Sequence, residues 1–265
     1  MKTVFIPSRP RLAVTVCGKG PLVILLHGLG GDRSTWKPQL HALQECFMAV
    51  SVDLRGYGQS DPAPEPLDFK KDFCADVIAV MDYFGAAKAH LVGLSMGGRV
   101  ARTTALQAPA RVASLVLANT SPGFDDLDDS QVDSFIQSRS SIVVDGQLPA
   151  DFGQRQATGM MAGTASPEAL DTAANAMNGL RADHYLSVLR ASTQQDRGDK
   201  LEAIQCPVLV ISSDQDAVYP PAVTQRLLAR IPHTTSATLS NAGHISNLEQ
   251  PDAFNNAILK FLKAQ

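Results

Sequence analysis

In a chain of 265 residues, the string Gly93-Leu94-Ser95-Met96-Gly97 carries the strongest chemical signal. An apolar run, Ala89-His90-Leu91-Val92, precedes it, and a helical-looking stretch from Gly98 to Gln107 follows. Gly-x-Ser-x-Gly at a strand-to-helix turn is the pattern of a nucleophile elbow. The glycines leave room beside the serine, and the turn lifts its hydroxyl into the open above a sheet. Ser95 is then placed to attack a carbonyl carbon. A serine hydroxyl is a weak nucleophile unaided, so a base and an acid that orients the base must be found elsewhere. The expected order is Ser, Asp or Glu, His, each partner in a loop after a later strand.

Six histidines compete for the role of base. His27 precedes the serine, in a Gly-rich loop. His41 lies in a helical stretch, His90 enters the serine's own strand, His184 falls in a polar middle region, and His233 ends a helix after Pro232. His244 remains, in the loop Ser240-Asn241-Ala242-Gly243-His244 between a short strand and the last helix. The acid should end the strand before that one. Pro207-Val208-Leu209-Val210-Ile211 is an apolar, β-branched run of the kind a buried parallel strand requires. Two aspartates follow it, Asp214 and Asp216. Asp216 stands four residues before Pro220, where the chain turns into the next helix. Asp214 competes, with the alternative that it folds back on its own backbone as an Asx-turn.

The charge that develops on a carbonyl oxygen under attack needs two backbone N–H donors. One belongs to Met96, directly after the nucleophile. The other belongs to the loop His27-Gly28-Leu29-Gly30-Gly31 that follows the strand Leu22–Leu26, with Leu29 the expected donor. The same loop has a rival meaning. Gly28-x-Gly30 after a strand, with Asp53 ending the next one, resembles part of a dinucleotide fingerprint. Arg33 occupies the third glycine position, and that reading leaves Ser95, Asp216 and His244 without a role.

Apolar strands alternating with amphipathic helices must position these residues. Extended segments are expected near Thr3–Ile6 and Leu12–Val16. Strands follow near Leu22–Leu26, Met48–Val52, Ala89–Gly93 and Ala113–Leu117, then Val208–Ile211 and Ala237–Leu239, the rhythm of βαβ units in a mostly parallel sheet. Helices are expected over Phe69–Phe84, stopped by Gly85, and from Pro251 onward. The rhythm breaks after Asn119. From Thr120 to Cys206 the chain offers one short strand-like run, Ser141–Val144, and helical pieces near Ser130–Gln137, Phe152–Met161, Pro167–Met177 and Asp183–Ala191. An insertion this long usually carries function. The expected organisation is an α/β core formed by 1–119 and 207–265, with 120–206 a helical cap over the nucleophile. Met160, Met161 and Met177 are candidates to line an apolar pocket beneath it, against the alternative that they fill packing between cap helices.

Composition bounds the partners. Hydrophobic residues make up 45% of the chain, ample for one core, and the net charge is −3 with both signs interspersed. No basic face for nucleic acid and no polybasic membrane patch is expected. The N-terminal residues lack the apolar stretch of a secretory signal, and no segment approaches a membrane span. Cys17, Cys46, Cys74 and Cys206 are scattered without metal-ligand spacing, as expected of isolated thiols in a reducing cytoplasm. No metal and no cofactor is expected, and nothing bears on oligomeric state.

With elbow, glycine loop and candidate triad on the page, the chain resembles the α/β-hydrolase superfamily over nearly its whole length. His27-Gly28-Leu29-Gly30-Gly31 with Trp36 is similar to that family's oxyanion loop and first helix, which makes Trp36 a further candidate for substrate contact. Asp53-Leu54-Arg55-Gly56-Tyr57-Gly58-Gln59-Ser60 resembles its Asp-x-x-Gly-x-Gly-x-Ser turn. Asp216 stands where the family's Asp-x-x-x-Pro acid does, which favours it over Asp214. Gly243-His244-x-x-Asn247-x-Glu249-x-Pro251 resembles the family's Gly-His segment. Within the superfamily the strings Gly93-Leu94-Ser95-Met96-Gly97-Gly98 and Gly243 to Pro251 are most similar to 3-oxoadipate enol-lactonases, esterases and cofactor-free haloperoxidases. The cap lacks the tryptophan of the enol-lactonases. A serine rather than an aspartate at the elbow sets the chain apart from epoxide hydrolases and haloalkane dehalogenases. The resemblance implies hydrolysis of a small carboxylic ester or lactone through an acyl-enzyme. The alternative from another class is a ligand receptor or signalling protein with vestigial turnover. Carbon–carbon bond hydrolysis would use the same triad.

Overall fold

Five central strands of the sheet are buried along nearly their whole length, so both faces of the sheet are covered. The computed structural model describes residues 1–265. Its strands are β1 (Lys2–Ile6), β2 (Leu12–Cys17), β3 (Leu22–Leu26), β4 (Met48–Val52), β5 (Ala89–Leu94), β6 (Val112–Ala118), β7 (Val208–Ser213) and β8 (Thr234–Leu239). They form one sheet in the order β1-β2-β4-β3-β5-β6-β7-β8. β1 pairs antiparallel with β2, and β2 with β4, while every other pairing is parallel. Successive strand residues serve opposite faces, as the two-residue period demands. Ile24, Leu26, Leu91 and Leu115 join one core, and Val23, Leu25, Val92 and Val116 join the other. The strands at the two edges, β1 and β8, each keep only one buried residue.

Helices α1 (Lys37–Leu43), α2 (Phe69–Tyr83) and α3 (Met96–Gln107) lie within the first half of the chain. α2 starts at Asp68, whose side chain accepts the Lys71 N–H, and stops before Gly85. It contributes Phe73, Val77 and Val80 to the same core as Val100 and Ala101 of α3. The segment between β6 and β7 folds as α4 (Asp129–Ser140), α5 (Phe152–Met160), α6 (Pro167–Asn178) and α7 (Ala182–Gln194). α4 begins with a reciprocal cap between Asp128 and Gln131, and α6 with Ser166 followed by Pro167. These four helices do not build a core of their own. Phe152, Ala173, Met177 and Leu189 extend one core of the sheet, and Val188 and Ala191 extend the other. The run Ser141–Val144 is not a strand, contrary to the sequence expectation. A turn through Asp145 and Gly146, both at positive φ, folds Val144 back on Gln147 in a single bridge, with no partner strand within reach. The chain closes with α8 (Pro221–Arg230), a single turn α9 (Ser246–Glu249) and α10 (Pro251–Leu262), which packs Phe254 and Ile258 beside Leu40 and Leu43 of α1. No helix is long and apolar enough to cross a membrane, and none of the four cysteines is paired.

Candidate active site

The elbow is built as the sequence requires. Ser95 adopts φ 54° and ψ −118° between the end of β5 and the start of α3. This is a strained conformation for a residue with a side chain, of the kind found where function requires it. The two glycines make it feasible. A side chain at Gly93 would overlap the Gly97 carbonyl, and one at Gly97 would overlap the carbonyl of Leu26 on the neighbouring strand. The Ser95 carbonyl is held by the Thr120 hydroxyl at 2.7 Å, just past the end of β6.

His244 and Asp216 meet as expected. Nδ1 of His244 lies 3.0 Å from Asp216 Oδ2 and 3.1 Å from Oδ1, with both residues buried. Burial pushes the Asp216 carboxyl up, but the hydrogen bond and charge of His244, the Tyr219 N–H and the Asn119 amide outweigh it and hold the carboxyl below its ordinary range. Asp216 Oδ1 accepts the N–H groups of Val218 and Tyr219 at 2.8 and 2.9 Å. An anion with this many donors orients an imidazole with its other nitrogen turned outward. Ser95 and His244 line the same cavity, of about 430 Å³. The Ser95 hydroxyl and His244 Nε2 make no hydrogen bond to one another or to another protein atom, and such bonds commonly tighten only with substrate present.

Asp214 serves another purpose. Exposed, it accepts the N–H groups of Asn241 and Ala242 at 3.1 and 3.3 Å, pinning the histidine loop to the end of β7 rather than folding onto its own backbone.

Gly28 passes so close to Ser95 that a methyl group there would stand 3.1 Å from Ser95 Cβ. The loop that follows is fixed by His27, whose Nδ1 faces the Gly28 carbonyl at 2.8 Å while Nε2 accepts the Leu54 N–H at 3.1 Å. Burial pushes the His27 imidazole below its ordinary pKa, against the Gly28 carbonyl and the charges of Asp53 and Asp32, which suits a neutral ring with one donor and one acceptor. The N–H groups of Leu29 and Met96 donate to nothing within the chain. The dinucleotide alternative for this loop loses its ribose ligand, because Asp53 is fully buried and accepts from Arg33 through both the backbone N–H and the guanidinium.

Two of the substrate-contact candidates are corrected. Trp36 is fully buried, tilted against Phe254 at 6.0 Å between ring centres, and belongs to the core rather than the cavity. Met161 is likewise in the core, since its helix has ended and its side chain turns away from the cavity lining. Met160 and Met177 do line the cavity, Met177 beside Gly30 of the glycine loop. The segment between β6 and β7 supplies much of the rest, including Phe124, Phe135, Arg139, Phe152 and Tyr185.

Sequence reasoning missed Asn119. Buried at the end of β6 with φ 44°, its amide nitrogen donates to Asp216 Oδ2 at 2.9 Å and Ser213 Oγ at 2.9 Å, and its amide oxygen accepts the Ser246 hydroxyl at 2.6 Å. Glu249, quoted only as part of the Gly-His segment and given no role there, accepts the N–H groups of Gly243, Ile245 and Ala162 at 2.8, 3.0 and 2.7 Å. Burial pushes its carboxyl above the ordinary range despite those donors. No group of three His, Cys, Asp or Glu side chains is arranged to hold a metal ion.

A family model described as the alpha/beta hydrolase fold matches residues 21–251. The chain is 31% identical over 258 residues to a Caulobacter segnis protein named as a carbamate hydrolase, RutD, covering 91% of each chain. It is 31% identical over 246 residues to 3-oxoadipate enol-lactonase 2 of Acinetobacter baylyi, covering 92% of this chain and 89% of that one. Among solved structures it is similar to a thermophilic esterase from Thermogutta terrifontis with malate bound. That match has a TM-score of 0.87 at 25% identity and covers 100% of this chain and 99% of the esterase.

Proposed function

We propose, from the premise that the chain belongs to the alpha/beta hydrolase family and hydrolyses ester-type bonds, that it cleaves a small carboxylic ester or lactone with Ser95 as nucleophile. The observation that carries this is the pairing of His244 Nδ1 with the Asp216 carboxylate at 3.0 Å, on the wall of the cavity that Ser95 also faces. His244 Nε2 takes the proton as Ser95 Oγ attacks the carbonyl carbon. The N–H groups of Leu29 and Met96 receive the oxyanion as the tetrahedral centre forms. Collapse returns the proton from His244 to the leaving alkoxide and leaves an acyl group on Ser95. Water, deprotonated by His244, attacks that ester, and the second collapse frees the acid and restores the serine. Asp216 keeps its negative charge throughout, holds the tautomer and stabilises the imidazolium. The enol-lactonase and esterase relatives support the bond type, and the cavity volume falls within the range that suits a small molecule.

The test is multiple turnover of p-nitrophenyl acetate. Steady release beyond one equivalent, lost by several orders of magnitude in Ser95→Ala, is the expected result. A single burst without recovery, or a Ser95→Ala variant of normal stability that keeps more than about a tenth of the rate, would overturn it.

A further inference from the structure

The charged side chains on the cavity wall, the base aside, all carry one sign. Arg99, Arg139 and Arg155 line it together with His244, and no aspartate or glutamate does. Chance does not favour this in a chain with 26 acidic residues against 23 lysines and arginines. The three arginines differ in what already occupies them. Arg155 is exposed and lies 3.7 Å from Asp151, the residue just before its helix. Arg99 is buried, with Nη1 on the Ser192 carbonyl at 2.7 Å and on Asp196 at 3.1 Å, while its Nε has no partner. Asp196 is itself shared with Arg102, which pairs with Asp199 as well, so Arg99 is held within a buried ion-pair network.

Arg139 is different. Its guanidinium forms no ion pair and no hydrogen bond within the chain. Its carbon lies 3.5 Å over the ring of Phe135, one turn earlier on α4, and its carbonyl accepts from Tyr185. Phe135, Ser138, Arg139 and Ile142 all line the cavity. Although exposed, the guanidinium is desolvated enough to be pushed below its ordinary pKa, opposed by the phenols of Tyr185 and Tyr219. Tyr219 is also 5.5 Å from the His244 ring, centre to centre. A stacked, unpaired guanidinium on the wall of the cavity that Ser95 and His244 also line presents a planar fork of donors, and its natural complement is a carboxylate.

We propose that the substrate is an anionic ester or lactone, whose carboxylate, remote from the scissile bond, is bound by Arg139. The proposal rests on the serine-hydrolase reading above and names the substrate class of that site.

Monomethyl glutarate and methyl pentanoate differ only in a terminal carboxylate replacing a methyl group, so their relative kcat/KM isolates the charge. The wild-type enzyme should favour monomethyl glutarate by about tenfold or more. Arg139→Gln should reduce that ratio by about ten- to a hundredfold, the value of a charge-assisted bond, mainly through KM of the anionic ester. Arg139→Lys should restore part of it. A wild-type ratio at or below one, or a ratio that Arg139→Gln does not move, overturns the proposal. Calorimetry of monomethyl glutarate with the Ser95→Ala variant separates this from failure of the underlying reading. Binding that Arg139→Gln abolishes, in an enzyme without Ser95-dependent turnover, would support the anion site and sink the nucleophile. Turnover of p-nitrophenyl acetate without that binding would do the reverse.

Discussion

The backbone N–H of His244 donates to the carbonyl oxygen of Met160 at 2.8 Å, so the loop that carries this histidine is bonded directly to the last residue of α5. Glu249 doubles the tie. One of its oxygens accepts from Gly243 and from Ala162, and the other from Ile245, which brackets His244 on both sides and joins it again to the α5 end. The His244 loop and the end of α5 are therefore held together at three points.

Glu249→Gln tests that coupling. An amide offers one acceptor oxygen where three N–H groups converge, so at least one of them is left facing an NH₂ group. The expected result is a loss of about 1–3 kcal/mol in stability, with kcat reduced by about tenfold. KM should change little, because Glu249 does not line the cavity. Separate determination of kcat, KM and the urea midpoint checks this.

Asp216 and Asp214 should part company on substitution. Asp216→Asn lets the imidazole settle in the wrong tautomer, with a rate loss of up to about ten-thousand-fold. Asp214→Asn keeps one acceptor for Asn241 and Ala242 and should cost far less activity, its effect showing as a lower melting temperature. A dead Asp214 variant beside an active Asp216 variant would reverse the assignment.

Selectivity should depend on Met160 and Met177 and not on Met161. Met177→Ala or Met160→Ala enlarges the cavity and should shift kcat/KM toward longer acyl groups, by roughly fourfold per methylene accommodated. Met161→Ala removes core packing instead, so the acyl ranking should stay as it was while stability falls by about 2 kcal/mol or more. A panel of p-nitrophenyl esters from acetate to octanoate, with thermal melts alongside, reads both effects.

Acid should weaken the fold before it reaches ordinary carboxylate values. Burial lowers the pKa of His27, His90 and His184, the last to about 4. A folded pKa below the unfolded one means stability that is complete above about pH 6.5 and is lost as pH falls toward the folded value. For His184 that amounts to on the order of 3 kcal/mol between pH 6.5 and 4. Asp216, also depressed, adds a further loss at lower pH, while Glu249, raised by burial, works in the opposite sense. Urea midpoints at pH 7.5, 6 and 5 should fall steadily, and His184→Asn should flatten the slope.

Much of this was legible in the sequence because the signals are local. Apolar runs such as Leu22–Leu26 and Val208–Ile211 can only be buried strands, and the Ser95 turn admits no residue but glycine at Gly93 and Gly97. His244 followed from its loop once the strands were in place, and the family resemblance favoured Asp216 over Asp214. Asn119 could not be read this way. It is an ordinary asparagine in sequence, and its contacts with Asp216 and Ser246 lie 97 and 127 residues away. Trp36 and Met161 misled for the converse reason. Proximity to a motif along the chain says little about which side of a backbone a side chain takes. The solitary charge of Arg139 was invisible too, since only the fold reveals that no acid reaches it.

β8, at the edge of the sheet, has a single buried residue and meets only one neighbouring strand, β7. The loop it feeds carries His244, and the loop of its one neighbour carries Asp216. His244 and Asp216, though buried, thus hang from loops at one rim of the sheet, and sheet rims are where local opening requires the least free energy. Gentle denaturation should peel that rim first and extinguish turnover while the central strands still protect their amides from exchange. Activity is in this sense a gauge of one border of the sheet, and hardening the enzyme begins there.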